Sequence, residues 1–253
     1  MKALTPDPGR LAALGRSELT LLVRNRATLG VAVLMPASMV FVLRTIAGGD
    51  TAAAVAEATL TGGIGMVLVL VVYMNLVSAY VARREELVLK RLRTGEAGDL
   101  EILTGTALPA AVIALAQIAA LAVAGAAVLG APMPQHPALL AAGVLGALPL
   151  LAALAALTSA VTRNVETAGL TTLPLFLVTA IGSGLFTATD SLPGSVASVC
   201  ELLPLSGVMA LVRAGWSGGA GGYELLGAAL TTLAWIMVTV FAVRRWFRWE
   251  PRR

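Results

Sequence analysis

Few side chains in this sequence could do chemistry, and none stands in a catalytic arrangement. The two lysines, Lys2 and Lys90, lack the Gly-Lys-Ser/Thr context of a phosphate-binding P-loop, so we expect no ATP hydrolysis of that kind. The lone His136 has no nucleophile beside it, and no apolar run holds a histidine that could activate Ser183. A single cysteine, Cys200, excludes an internal disulfide and leaves no set of soft metal ligands. The sequence predicts a protein that is not an enzyme and has no metal or cofactor of its own.

The charged residues are bunched instead of spread over a surface. Only 13% of residues are charged, against about 25% in a soluble domain, and 58% are hydrophobic. Of the 18 lysines and arginines, 16 fall in four segments that alternate with pairs of long apolar runs. Because cations resist translocation, this pattern predicts a multi-pass membrane protein with both termini in the cytoplasm. The net positive charge is then explained by attraction of cytoplasmic segments to anionic lipid, and it does not indicate a nucleic-acid partner.

Six apolar runs are long enough, or nearly so, to cross a bilayer, which takes about 20 helical residues. They predict an all-α transmembrane domain over 27–243, with spans at about 27–43, 60–82, 107–129, 138–160, 168–188 and 225–243. The first is the weakest, because it is short and contains Pro36. No charge lies at mid-span, which counts against proton- or ion-coupled transport.

Segments outside the spans are also patterned. Residues 1–26 form a cytoplasmic segment, in which 9–26 place leucines opposite arginines and predict an amphipathic helix in the membrane surface. The tail 244–253 is basic and cytoplasmic. Trp216 on the outer side, and Trp246 and Trp249 on the inner side, are expected to be interfacial anchors.

Two connections are predicted to be structured. In 83–101 the second helix continues into the cytoplasm, TGEAGD breaks it, and Asp99 caps a short LEIL helix before the third span. This helix–break–helix elbow carries five positive and five negative charges. Between spans five and six the chain is too hydrophobic for a free loop but is broken by Pro193, Gly194 and Pro204, which predicts short re-entrant helices.

The polar residues inside spans leave two interpretations open. Asn75 either lines a substrate path or bonds across helices, and span hydroxyls usually bond their own helix backbone. Small residues, such as Gly143 with Gly146 and Gly182–Gly184, are expected to allow close helix packing.

Three stretches of this sequence resemble the permease subunit of ABC-2 type exporters, particularly the bacterial drug-resistance (daunorubicin-resistance-like) branch. They are RNR at 24–26 with Pro36, REELVLKRLRTGEAGDLEILTG at 84–105, and FTATDSLPGSVASVCELLPLSGVMALVRAGW at 186–216. One departure is that many members have Thr-Pro and then Ser at the elbow break, where this chain has Gly95, Glu96 and Gly98.

The resemblance implies export of a hydrophobic or amphipathic compound (drug, antibiotic or lipid-like) across the bacterial cytoplasmic membrane. It implies a homodimer or heterodimer of permeases with two copies of a separate ATPase, which binds the ATP and Mg²⁺. It places an ATPase-coupling surface on Glu85, Glu86, Arg91, Arg93, Asp99, Leu100 and Glu101, a connecting helix at Glu18, Arg24 and Arg26, and a substrate path at Asn75, Ser78, Thr172 and Thr179 near the dimer interface.

Three other functions stay open at the level of sequence. Export of a lipid-linked glycan would be favoured by aromatic-rich cytoplasmic grooves, but only 5% of residues are aromatic. A membrane-embedded enzyme would need clustered His, Asp or Glu at one membrane face. A membrane scaffold that uses an ATPase for signalling or repair, without transporting anything, has no sequence signature that separates it from an exporter.

Overall fold

The apolar runs fold into helices, and no strand occurs in the residues that the structure describes, which are 52–94, 98–183 and 194–250 of a computed structural model. In chain order the elements are α1 (Ala52–Val67), a π-helical segment (Leu68–Met74), α2 (Asn75–Glu85), α3 (Val88–Thr94), α4 (Asp99–Leu129), α5 (Pro137–Val161), α6 (Val165–Gly182), α7 (Gly194–Glu201), α8 (Ser206–Ser217) and α9 (Gly222–Trp246).

Five helical stretches in these ranges are long and apolar enough to cross a membrane. They are Thr59–Glu85, Asp99–Val128, Pro137–Val161, Val165–Gly182 and Gly222–Trp246, and they coincide with predicted spans two to six. The all-helical, multi-pass class is therefore confirmed. The predicted first span and the surface helix at 9–26 lie outside the described residues.

The start of the third span differs from the predicted one. The predicted LEIL helix is not separate, because α4 runs unbroken for 31 residues from Asp99. The sequence had suggested Asp99 as the N-cap, but the N-cap is Gly98 and Asp99 is the first helical residue. Helix α6 ends at Gly182, and residues 184–188 of the fifth predicted span lie outside the described residues.

The stretch from α1 to α2 is the most buried of the five. It packs against α4, α5 and α6, and its two tyrosines bond across helices. The Tyr73 hydroxyl lies 3.0 Å from Thr158 Oγ1, and the Tyr80 hydroxyl donates to the Leu103 carbonyl at 3.0 Å. The π-helical segment that links α1 to α2 is seven residues long, an unusual length for a form most often seen as a single turn, frequently at functional sites.

Helices α7 and α8 form a pair bent by 88°, the shape of a broken span or a re-entrant loop. Helix α8 packs against α5 and α9. Close approach depends on glycine, as predicted for Gly143: a β-carbon there would lie 3.1 Å from Leu211 Cβ, and one at Gly215 would overlap the Leu140 backbone. Trp216 is only 2% exposed, so its predicted role as an interfacial anchor is wrong, because close packing buries it in the core.

Candidate functional site

The elbow is built where span two leaves the bundle. Helix α2 ends at Glu85, and Leu87 then adopts a left-handed conformation with φ 60°, which redirects the chain into α3. A leucine rarely takes this conformation, because its β-carbon crowds the following carbonyl. Leu87 is therefore a strained joint between the bundle and the elbow.

Six of the seven predicted coupling residues are exposed at this end of the bundle. The seventh, Glu101, is buried. Arg93 Nε donates to Asp99 Oδ1 at 3.1 Å, which closes the elbow across its break. Exposed ion pairs of this kind contribute at most about 1 kcal/mol, so a partner protein could exchange them at little cost. The exposed residues, which together make the charged surface of the elbow, are Glu85, Glu86, Arg91, Arg93, Asp99 and Leu100.

Glu101 is placed differently. It is 6% exposed, and its Oε2 accepts a hydrogen bond from the Gly98 backbone N–H at 3.1 Å. A glutamate at the third position of a helix that reaches back in this way stabilises the helix start. Glu101 therefore has the geometry of a helix cap, whereas a residue that docks a partner protein would be exposed.

The residues after α9 form part of the same surface, which the sequence did not indicate. The Phe247 ring meets Tyr80 edge-on, with centroids 6.3 Å apart, and Trp249 packs against Phe247. The Arg93 guanidinium lies 4.9 Å from the centre of the Trp249 ring, and Lys90 Nζ lies 2.8 Å from Glu250 Oε1. Trp249 and Glu250, predicted as part of a basic tail in which Trp249 is an interfacial anchor, thus contact α3.

Arg84 is the functional candidate that sequence reasoning missed. It is 1% exposed, and it donates to the Ser159 carbonyl at 2.7 Å and to the Thr162 carbonyl at 2.6 Å. Those carbonyls belong to the last turn of α5, where helix carbonyls lack partners and the helix dipole is negative. Arg84 therefore fixes the start of the elbow to the end of α5. Neighbouring Arg83 bonds Thr106 instead, and no signal in the sequence tells the two apart.

The connection continues into α6. Thr162 Oγ1 and Thr171 Oγ1 lie 2.8 Å apart, and Asn164 Oδ1 accepts from the Thr167 N–H at 3.0 Å, which caps α6. These contacts connect Arg84, through Thr162, to the first turns of span five.

The predicted path residues are not all open to a passing molecule. Asn75 is exposed and Ser78 partly buried, with its hydroxyl donating to the Met74 carbonyl at 3.4 Å. Thr172 and Thr179 are 1% and 3% exposed, and each donates to a carbonyl of its own helix. Helix α6 packs against the span-two stretch and against α5. The structure thus leaves Asn75 as the accessible polar group of the four. The connecting-helix residues Glu18, Arg24 and Arg26 lie outside the described residues.

At the opposite end, α8 is tied to the end of α6. Arg213 Nη1 donates to the Ser183 carbonyl at 2.9 Å, and Ser206 Oγ donates to the Gly182 carbonyl at 3.1 Å. The bent pair and span five therefore share one hydrogen-bonded junction.

Comparison with known proteins identifies the family of this chain. A family model described as ABC-2 type transporter matches residues 10–216. No curated protein is significantly similar to the chain. Within the described residues, no group of His, Cys, Asp and Glu is placed to hold a metal ion. Because the family match covers most of the sequence, this chain belongs to the ABC-2 type transporter family, as a membrane permease domain that is not itself catalytic.

Proposed function

We propose that this chain is the permease subunit of an ATP-driven exporter that moves a hydrophobic or amphipathic compound out of a bacterial cell. Family membership supports a permease that works with an ABC ATPase. The observation that carries the coupling proposal is the exposed charged surface on the elbow, joined to the bundle through buried Arg84.

The elbow is the proposed docking site of the ATPase. Its charges are arranged in exposed pairs that steer association, and exposed Leu100 supplies an apolar anchor at the start of α4. When the ATPase dimer closes on ATP, α3 would turn about Leu87. Arg84 would carry this movement to the end of α5, and the Thr162–Thr171 contact would pass it to α6.

Orientation and assembly complete the proposal. The grouping of 16 of 18 cations supports an elbow and both termini on the cytoplasmic side. Two permease copies and two ATPase copies would form the exporter, with ATP and Mg²⁺ bound by the ATPase. The exposed Asn75 would face the partner permease or the substrate path.

Site-specific cross-linking tests the docking surface. A photo-reactive amino acid replaces Arg91 on α3 in one variant and Glu201 at the opposite end in the matched control; both positions are exposed. In native membranes we expect Arg91 variants to cross-link a P-loop ATPase and Glu201 variants not to. Equal cross-linking from both positions, or none from Arg91, would remove the elbow as the docking site.

A further inference from the structure

A groove with a volume of about 100 Å³ opens beside the elbow, between α4 and α9. Leu100 and Thr104 form one wall, Val240 and Val243 the other, and Ala153 lies in its floor next to Pro149 of α5. Helices α4 and α9 both pack against α5. The α5 residues between them are mostly alanines, whose small side chains leave the space open. The groove lies at the end of the bundle where the charged loops begin.

The groove offers a hydrocarbon surface. Its two hydroxyl groups are already bonded to backbone: Thr104 Oγ1 donates to the Leu100 carbonyl at 2.7 Å, and the Tyr80 hydroxyl donates to the Leu103 carbonyl at 3.0 Å. A polar ligand would find no free partner on these walls and would lose its own hydration. An alkyl chain has no polar groups, so it gives up no hydrogen bonds to water when it enters the groove.

An exposed arginine follows the groove residues of α9. Arg244 stands four residues after Val240, so the two side chains share one face of the helix, and it comes directly after Val243. No acidic side chain among the described residues pairs with Arg244. Arg245 is also exposed, and the helical repeat turns it about 100° further from the groove.

We propose that this groove binds an acyl chain of an anionic phospholipid from the adjoining leaflet, with its phosphate on Arg244. Basic sites between membrane helices at the cytoplasmic side favour acidic head groups, and each arginine near the surface contributes attraction. Leu100 forms a wall of the groove and is also an exposed residue of the elbow. A lipid bound in the groove would therefore contact the elbow and influence its position. Lipid binding itself does not depend on the exporter proposal.

The test measures retained lipid on the intact protein by native mass spectrometry, after delipidation and addition of phosphatidylglycerol or phosphatidylcholine with identical chains. We expect one tightly held phosphatidylglycerol per chain and little phosphatidylcholine. Arg244→Gln should weaken retention about five-fold, while Arg245→Gln, the same change in charge, should stay within about two-fold.

A second pair of variants tests the groove apart from the charge. Ala153→Leu fills the floor and should reduce retention of the lipid, whereas Ala142→Leu, on the exposed face of the same helix, should not. Equal retention of the two lipids, or equal effects of the two arginine variants, would overturn the anionic site. Full retention in a folded Ala153→Leu protein would overturn the groove as its place.

Discussion

Arg84 Nη2 lies 2.6 Å from the carbonyl oxygen of Thr162, so a buried cation at the end of span two holds the last turn of span four. The guanidinium offers several donors in a fixed plane, and it reaches Ser159 with its other terminal nitrogen. A comparable contact joins Arg213 to Ser183 at the opposite end of the bundle. In each case an arginine donates hydrogen bonds to backbone carbonyls at a helix end, where the helix itself supplies no donor.

Replacing Arg84 by Ala should destabilise the protein by about 2–4 kcal/mol, because it leaves several buried carbonyls without donors. The thermal midpoint in detergent should fall by about 5–10 °C. Arg84→Lys should recover only part of this, since one ammonium cannot span the same carbonyls. Arg245→Ala, an exposed arginine in the last turn of α9, is the control and should change little. An Arg84→Ala midpoint equal to that control would show that the buried contact carries no stability.

Leu87→Gly should be about 1 kcal/mol more stable than Leu87→Ala, because glycine adopts φ 60° without the β-carbon clash. Leu87 is 40% exposed, and both variants lose the part of its side chain that is buried, so alanine is the matched control for that loss. Thermal unfolding of the two variants side by side measures the difference, and equal midpoints would exclude backbone strain at Leu87.

The sequence placed Asp99 and Glu101 in one surface, yet their geometry predicts separate effects. Glu101→Ala removes a cap and should lower stability by about 1 kcal/mol. Asp99→Ala breaks only an exposed pair and should leave the thermal midpoint nearly unchanged while weakening ATPase binding. Melting curves and ATPase co-purification on the same samples give both readings. A larger loss of stability from Asp99→Ala would reverse the assignment.

The single cysteine makes orientation measurable. In a Cys200→Ala background, we expect Glu201→Cys to react with a membrane-impermeant maleimide in intact cells. Arg245→Cys should react only after the membrane is opened, because the proposal places α9's last turn in the cytoplasm. Labelling of Arg245→Cys from outside would contradict the proposed orientation.

Hydropathy and charge placement predicted the helices of spans two to six, because burial in lipid is a local property of each run. The role of Arg84 was not predictable, since which of Arg83 and Arg84 turns inward depends on the rotation of α2. The π-helical segment before Asn75 changes that rotation, and its sequence, LVLVVYM, contains no residue that predicts a π-helix. The burial of Trp216 and the contact of Trp249 with Arg93 depend on packing between segments distant in sequence.

The central claim is that this permease works through a separate ATPase docked on the elbow. The most direct measurement is purification of the tagged protein from its native membrane in mild detergent, with its companions identified and quantified. The account predicts one P-loop ATPase per permease chain, lost on Glu85→Lys with Glu86→Lys and retained on Glu201→Lys. Recovery of the intact, folded protein with no ATPase would contradict it.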